Sequence, residues 1–221
     1  MKVFAVIPAY NEEKTIGQVV SDVKKHVDGV IVVDDGSVDR TAAFAKEAGA
    51  SVASHFLNRG QGAALETGKA AALGLGADII VTYDADGQFL PEEISNVTKP
   101  IIDNQADVVL GSRFLKSDIP LSKKIFLGGA IFLTRMTSGL PLSDTHNGFR
   151  AFSREAAEKI EIKQNRMAHA SEILDKISEH RLRYTEVPVT VKYFSQKIRR
   201  GQKLPDYFKI LFDLFLGRAI K

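Results

Sequence analysis

The chain has 221 residues, 44% of them hydrophobic and 26% charged, with a net charge of +3. That composition belongs to a globular protein with a sizeable core, in one large domain or two tight halves. It lacks cysteine, which excludes disulfides and thiolate metal sites and fits a reducing compartment.

The N-terminus passes from Met1-Lys2 straight into "VFAVIPA", too short and too early for a signal peptide. Residues 2–9 read as a strand, after which Ile16, Val19, Val20, Val23 and Val27 follow helical spacing. A second strand is expected over 29–35, then a helix over 39–49 with Asp39 as N-cap and Gly49 as its stop. Residues 51–56 form a third strand, 61–74 an Ala-rich helix, and 78–86 a fourth strand. Pro91 opens a helix at its first turn, and 107–114 is a fifth strand. This alternation implies an α/β fold, a doubly wound and mostly parallel sheet flanked by helices. Beyond residue 115 the pattern loosens to a helix near 121–138, a short strand at 148–152, a helix at 170–180 and "YTEVPVTVKYF" at 184–194.

The most apolar run after the first strand, "IFLGGAIFL" at 125–133, lies between Lys124 and Arg135 and is too short to span a bilayer. The protein is expected in the cytoplasm, free or lying at the cytoplasmic face of a membrane. From residue 192 onward eight basic side chains are balanced by Asp206 and Asp213 alone. No nucleic-acid motif accompanies them, and aromatic residues do not interleave with them as stacking platforms require, so nucleic acid is not an expected partner.

In doubly wound sheets, ligands collect beyond the carboxyl ends of the strands. Four of those ends are polar: Pro8 to Glu12, Asp34 to Ser37, Asp84 to Gln88, and Gly111 to Arg113. Asp84 and Asp86 lie two residues apart, so in a strand they share a face and repel. Either the pair sits on a solvated turn built by Asp86-Gly87, or something positive compensates it. "VVDDGS" offers carboxylates to base N–H groups or ribose hydroxyls, with Gly36 permitting close backbone approach; its bland alternative is a capped turn. In "NRGQGAALETG", Gly60 and Gly62 stand at a helix start whose N–H groups are expected to face a ligand, or serve packing alone. Arg113 is placed to clamp a phosphate or to form a surface ion pair.

The ordered motifs "VIPAYNEE", "VVDDGSVDRT", "NRGQGAALETG", "YDADGQFLPEEI", "VLGSRF" and "DTHNGFRAF" resemble those of family-2 glycosyltransferases with the GT-A fold. The resemblance covers roughly residues 3 to 203 and is strongest to the polyprenyl-phosphate (dolichol-phosphate) mannosyl- and glucosyltransferase branch. It implies a nucleotide-diphosphate sugar donor (UDP- or GDP-linked), Mg²⁺ or Mn²⁺, and inversion at the anomeric carbon. It assigns Asp84, Asp86 and Gln88 to the metal or to the diphosphate through it, and Pro8, Tyr10, Glu12 and Asp35 to the nucleoside. For Tyr10, packing beside the strand is an equal alternative. Gly62 is a further donor contact. Arg113 contacts an acceptor phosphate, and Arg200, Gln202 and Lys203 belong to a basic loop that closes over the diphosphate. Asp144 matches a second acidic motif: it is a general base if the acceptor is a sugar hydroxyl, and an orienting group if the acceptor is a phosphate, which is already anionic.

The branch often carries an arginine near the position of Gly128; here Lys123, Lys124 and Arg135 stand nearby. Two stretches, 121–136 and 207–221, are apolar with basic flanks and suit a peripheral membrane contact or docking on a membrane partner subunit, or else packing or a homodimer seam. One domain is expected, with a nucleotide-binding half at 1–115 and an acceptor half at 116–221. The functional alternatives are transfer to a sugar hydroxyl of a cell-surface glycan, a sugar-1-phosphate nucleotidyltransferase, and a non-catalytic sugar-nucleotide-binding subunit. A nucleotidyltransferase would carry a Gly-rich basic loop where "AYNEE" stands.

Overall fold

In the computed structural model the described residues are 1–115 and 140–192. The helix expected near 121–138, the amphipathic stretch at 207–221, and Arg200, Gln202 and Lys203 lie outside them. In chain order the elements are β1 (Val3–Ala9), α1 (Ile16–Val23), β2 (Gly29–Asp34), α2 (Thr41–Glu47), β3 (Ser51–Ser54), α3 (Gln61–Gly74) and β4 (Ile79–Thr82). A 3₁₀ turn (Pro91–Glu93) then leads into α4 (Ile94–Ile102) and β5 (Val108–Ser112), and after the undescribed segment come β6 (Arg150–Ser153), α5 (Arg154–Lys159), α6 (His169–Glu179) and β7 (Tyr184–Pro188).

Among the described residues the strands form one sheet in the order β3-β2-β1-β4-β6-β5-β7. The expected mostly parallel sheet is present: β1, β2, β3 and β4 run together, as do β5 and β7. One strand breaks the pattern, because β6 inserts antiparallel between β4 and β5. Alternation along β1 explains the two layers. Ala5, Ile7 and Ala9 point to a core shared with α1 and α4, while Val6 points to the opposite core with α3, α5 and α6. Among the described residues no helix is long and apolar enough to cross a membrane.

Two sequence expectations shift at element ends. The N-cap of α2 falls one residue later than expected, at Arg40, without a side-chain capping bond, and Asp39 just before it accepts from the Thr41 N–H at 3.0 Å. The fourth strand ends at Thr82, so the two acids lie beyond the ladder.

The close seat of α3 on the sheet depends on Gly68. A Cβ there would lie 2.3 Å from Val6 Cγ1 and 3.1 Å from Val33 Cγ2. Both neighbours are β-branched and stiff, so the helix would have to lift. Gly68→Ala is therefore expected to destabilise by about 1–3 kcal/mol through overpacking, although alanine is intrinsically the better helix former; chemical denaturation measures it, and a neutral or stabilising result would contradict this packing.

Candidate active site

The loop after β4 is pinched shut at its neck. Tyr83 and Phe89 meet edge to face at 5.6 Å, both stack with Phe149, and the Tyr83 hydroxyl donates to the Phe89 carbonyl at 2.7 Å. The five residues 84–88 between them are thereby held at the sheet edge instead of trailing into solvent. Gly87 takes φ +74°, and the Gln88 N–H donates to Asp86 Oδ1 at 3.0 Å, so the turn chemistry of Asp86-Gly87 is real. Asp84 is half-buried and accepts from Gln61 Nε2 at 3.2 Å. Burial above all, then the neighbouring Asp86, pushes its carboxyl up to about 6, against the opposing pull of Arg150 and Arg113. Gly148 faces it, and a Cβ at that position would lie 2.8 Å from Asp84 Oδ2.

The loop entering β6 brings the second acid. Asp144 is 3% exposed and grips Arg113 with both oxygens: Nε donates to Oδ2 at 2.7 Å, Nη2 to Oδ1 at 2.8 Å, and the Arg113 backbone N–H to Oδ2 at 3.1 Å. Burial pushes the Asp144 carboxyl up, but the Arg113 guanidinium more than reverses this and holds it below the usual carboxylate range. Behind the pair lies Arg150, 4% exposed, which donates to the carbonyls of Asn147 at 2.9 Å and Thr145 at 3.2 Å. Burial lowers this guanidinium to about 10 while Asp144 and Asp84 oppose the shift. The structure thus gathers Asp84, Asp86, Arg113 and Asp144, four of the expected residues, around an arginine that the sequence reading quoted without assigning.

The residues expected at the nucleoside lie beyond β1 and β2. The Asp35 N–H donates to the Ala9 carbonyl at 2.8 Å, and the Glu12 N–H to Thr41 Oγ1 at 2.8 Å. Pro8, Tyr10, Glu12 and Asp35 consequently stand on adjacent strand ends, with the Tyr10 ring exposed and available for stacking. Asp35 is not an open ligand. It is 3% exposed; Oδ1 meets His55 Nδ1 at 2.7 Å and the Arg59 N–H at 2.9 Å, and Oδ2 accepts from the Gly60 N–H at 2.7 Å. Its carboxylate organises the loop before α3, so replacing it should cost stability as well as any contact with a ligand. Gly62 departs from expectation outright. Its N–H donates to the Asn165 carbonyl at 2.9 Å, and a Cβ would lie 1.9 Å from the Gln164 carbonyl oxygen. The glycine is there for close packing of the 164–166 segment, and its N–H does not face a ligand.

Among the described residues no group of three or more His, Asp and Glu side chains is arranged to hold a cation. Asp84 and Asp86 are a partial set of hard oxygen ligands. They suit a divalent cation that completes its shell with further oxygens, such as the amide of Gln88 and water.

The raised Asp84 carboxyl carries a stability consequence. A folded-state value of about 6, above the ordinary 3.8, means the folded protein binds this proton more tightly than the unfolded chain. The contribution is therefore fully present below about pH 4 and is lost as pH rises through 6. Asp84→Asn is expected to be more stable than wild type at pH 7.5 in EDTA by about 1–3 kcal/mol, with the difference vanishing near pH 4. Denaturation at the two pH values checks this; a variant no more stable at pH 7.5 would contradict it.

Residues 4–161 match the sequence profile described as glycosyl transferase family 2. The chain is 40% identical over 224 residues to an uncharacterized Methanocaldococcus jannaschii protein, covering 98% of this chain and 92% of that one. It is 35% identical over 238 residues to the UDP-N-acetylglucosamine–dolichyl-phosphate N-acetylglucosaminyltransferase of Methanococcus voltae, covering 97% and 95%. Its fold is similar to that of Mycobacterium tuberculosis glucosyl-3-phosphoglycerate synthase, solved with Mn²⁺, UDP and phosphoglyceric acid, at a TM-score of 0.69 and 21% identity over 89% of this chain and 72% of that one. Sequence profile, relatives and GT-A architecture agree: the chain belongs to glycosyl transferase family 2.

Proposed function

We propose that this transferase moves a hexose, with inversion, from a nucleotide-diphosphate sugar to a polyprenyl phosphate at the cytoplasmic face of a membrane. The observation that carries the choice of acceptor is the Asp144–Arg113 pair. A general base for a hydroxyl acceptor needs a carboxylate poised to accept a proton. Asp144 is instead held below the usual range, with both oxygens occupied by a guanidinium. That arrangement suits an acceptor that is already anionic, whose phosphate Arg113 attracts. The Methanococcus voltae relative, named for a dolichyl-phosphate acceptor and a UDP-linked donor, supports the same reading.

On this reading Pro8, Tyr10 and Glu12 form the nucleoside end of the donor site, Asp35 fixes the loop beside them from within the protein, and Asp84, Asp86 and Gln88 hold Mg²⁺ or Mn²⁺. Such an ion, when bound, offsets the charge that grows on the departing diphosphate. Arg113 draws in the acceptor phosphate, Asp144 fixes the guanidinium, and Arg150 keeps Asp144 and Asp84 at the same edge. Arg200 and Lys203 supply further charge for the diphosphate, and the neutral amide of Gln202 offers it a hydrogen bond. The stretches 121–136 and 207–221 are the proposed membrane contacts.

Purified protein given UDP- and GDP-hexoses, Mg²⁺ or Mn²⁺ and a short polyprenyl phosphate should form the lipid-linked sugar, and EDTA should stop it. Asp86→Asn keeps an acceptor for the Gln88 N–H and should lower kcat by about 100-fold or more. Arg113→Ala should lose transfer to the lipid phosphate while calorimetry shows unaltered nucleotide affinity. Transfer to a soluble sugar hydroxyl with Asp144 essential would instead make this an ordinary hydroxyl-directed family-2 enzyme.

A further inference from the structure

One row of side chains crosses four strands in register: Thr82 on β4, Arg150 on β6, Leu110 on β5 and Glu186 on β7. Paired positions share a face of the sheet, and the 143–149 loop is secured by the polar members of this row. Thr82 Oγ1 donates to the Gly148 carbonyl at 2.6 Å, and Arg150 donates to those of Asn147 and Thr145. Glu186 does the opposite at the loop's other end. Its carboxylate accepts from the Ser143 N–H with both oxygens at 2.9 Å, from Ser143 Oγ at 2.8 Å, and from the Asp144 N–H at 3.1 Å. Ser143 Oγ also meets Ser112 Oγ at 2.6 Å, one residue before Arg113.

The β5–β7 ladder is made by backbone groups and has no need of this carboxylate. Every one of the four bonds above goes to Asp144 or to the residue before it. Three of the four bonds reach Oε1; an amide could keep its oxygen there, but its NH₂ would then confront the Ser143 N–H, which now also points at Oε2, and the charge that strengthens all four bonds would be lost. The spend of a half-buried charge beside Asp144 is therefore directed at one outcome, the orientation of Asp144 and through it of the Arg113 guanidinium.

We propose that Glu186 is a positioning residue for the acceptor step, setting Arg113 through Ser143 and Asp144. The consequence for catalysis rests on the anionic-acceptor reading; the consequence for Arg113 geometry does not. Arginine-labelled protein observed by NMR separates the two. In wild type the Arg113 Nε–H, held by Asp144 at 2.7 Å, should give a distinct, slowly exchanging signal. In Glu186→Gln that signal should move toward the free-arginine position while backbone amide dispersion is retained. Transfer should fall about 10-fold or more, as for other displaced reacting groups, with donor KM within about twofold.

Because Glu186 acts through Asp144, Glu186→Gln/Asp144→Asn should transfer no more slowly than Asp144→Asn alone. Glu186→Asp, which keeps the charge but draws it back by one methylene, should fall between wild type and Glu186→Gln and serves if the amide variant does not fold. An unmoved Arg113 Nε–H signal, or kinetic losses that multiply in the double variant, would overturn the proposal. Absence of transfer to polyprenyl phosphate by the wild-type protein would sink the acceptor reading, and the Arg113 signal would still decide the role of Glu186.

Discussion

A guanidinium with almost no access to water stands at the centre of the candidate site. Arg150 begins β6, the strand that runs against its neighbours, and its charge lies within reach of both Asp84 and Asp144. A buried cation without partners would cost several kcal/mol, whereas one with carbonyls and carboxylates around it is tolerated. The dependence runs both ways. Asp84 and Asp144 come from loops far apart in sequence, and each would be harder to keep near the sheet without a fixed positive charge between them. Insertion of β6 between β4 and β5 is what delivers that charge to the same edge as the strand ends.

The two acids then diverge because their surroundings differ. Asp84 is desolvated and has a like-charged neighbour, so its carboxyl rises to about 6 against the weaker pull of Arg150, Arg113 and the Gln61 amide. Asp144 has a guanidinium on both oxygens and is held low. One carboxylate is poised to gain from an arriving cation; the other is already satisfied and acts as a fixture. Pairs of titratable groups pushed apart in this way mark functional division of labour. The first arrangement costs folding stability, consistent with a site built for a ligand and not for the empty protein.

The ends of β1 and β2 are organised differently. Asp35, His55 and Thr67 form a partly buried chain, with His55 Nε2 meeting Thr67 Oγ1 at 2.9 Å. This chain ties the end of β2 to α3, while Gln61 at the start of α3 reaches Asp84. The segment from Arg59 to Gln61 therefore bonds both to Asp35 at the end of β2 and to Asp84 in the acidic loop.

The amino-acid pattern by itself determined the βα series through β5, its parallel strands, and the clustering of polar motifs at strand ends, because period-2 and period-3.6 burial are local signals. It also singled out Asp84, Asp86 and Arg113, whose residue types announce charge chemistry, and the family resemblance added Asp144. Only the tertiary structure decided the direction and place of β6, since a four-residue strand carries no mark of its neighbours. It likewise decided that the Gly62 N–H serves the Asn165 carbonyl, that both oxygens of Asp35 are engaged within the protein, and that Asp144 is spent on Arg113. Arg150 and Glu186 were unmarked in sequence for the same reason. Their work is to satisfy backbone groups of a loop distant in the chain, and which groups those are is set by strand register, a non-local property that no short stretch encodes.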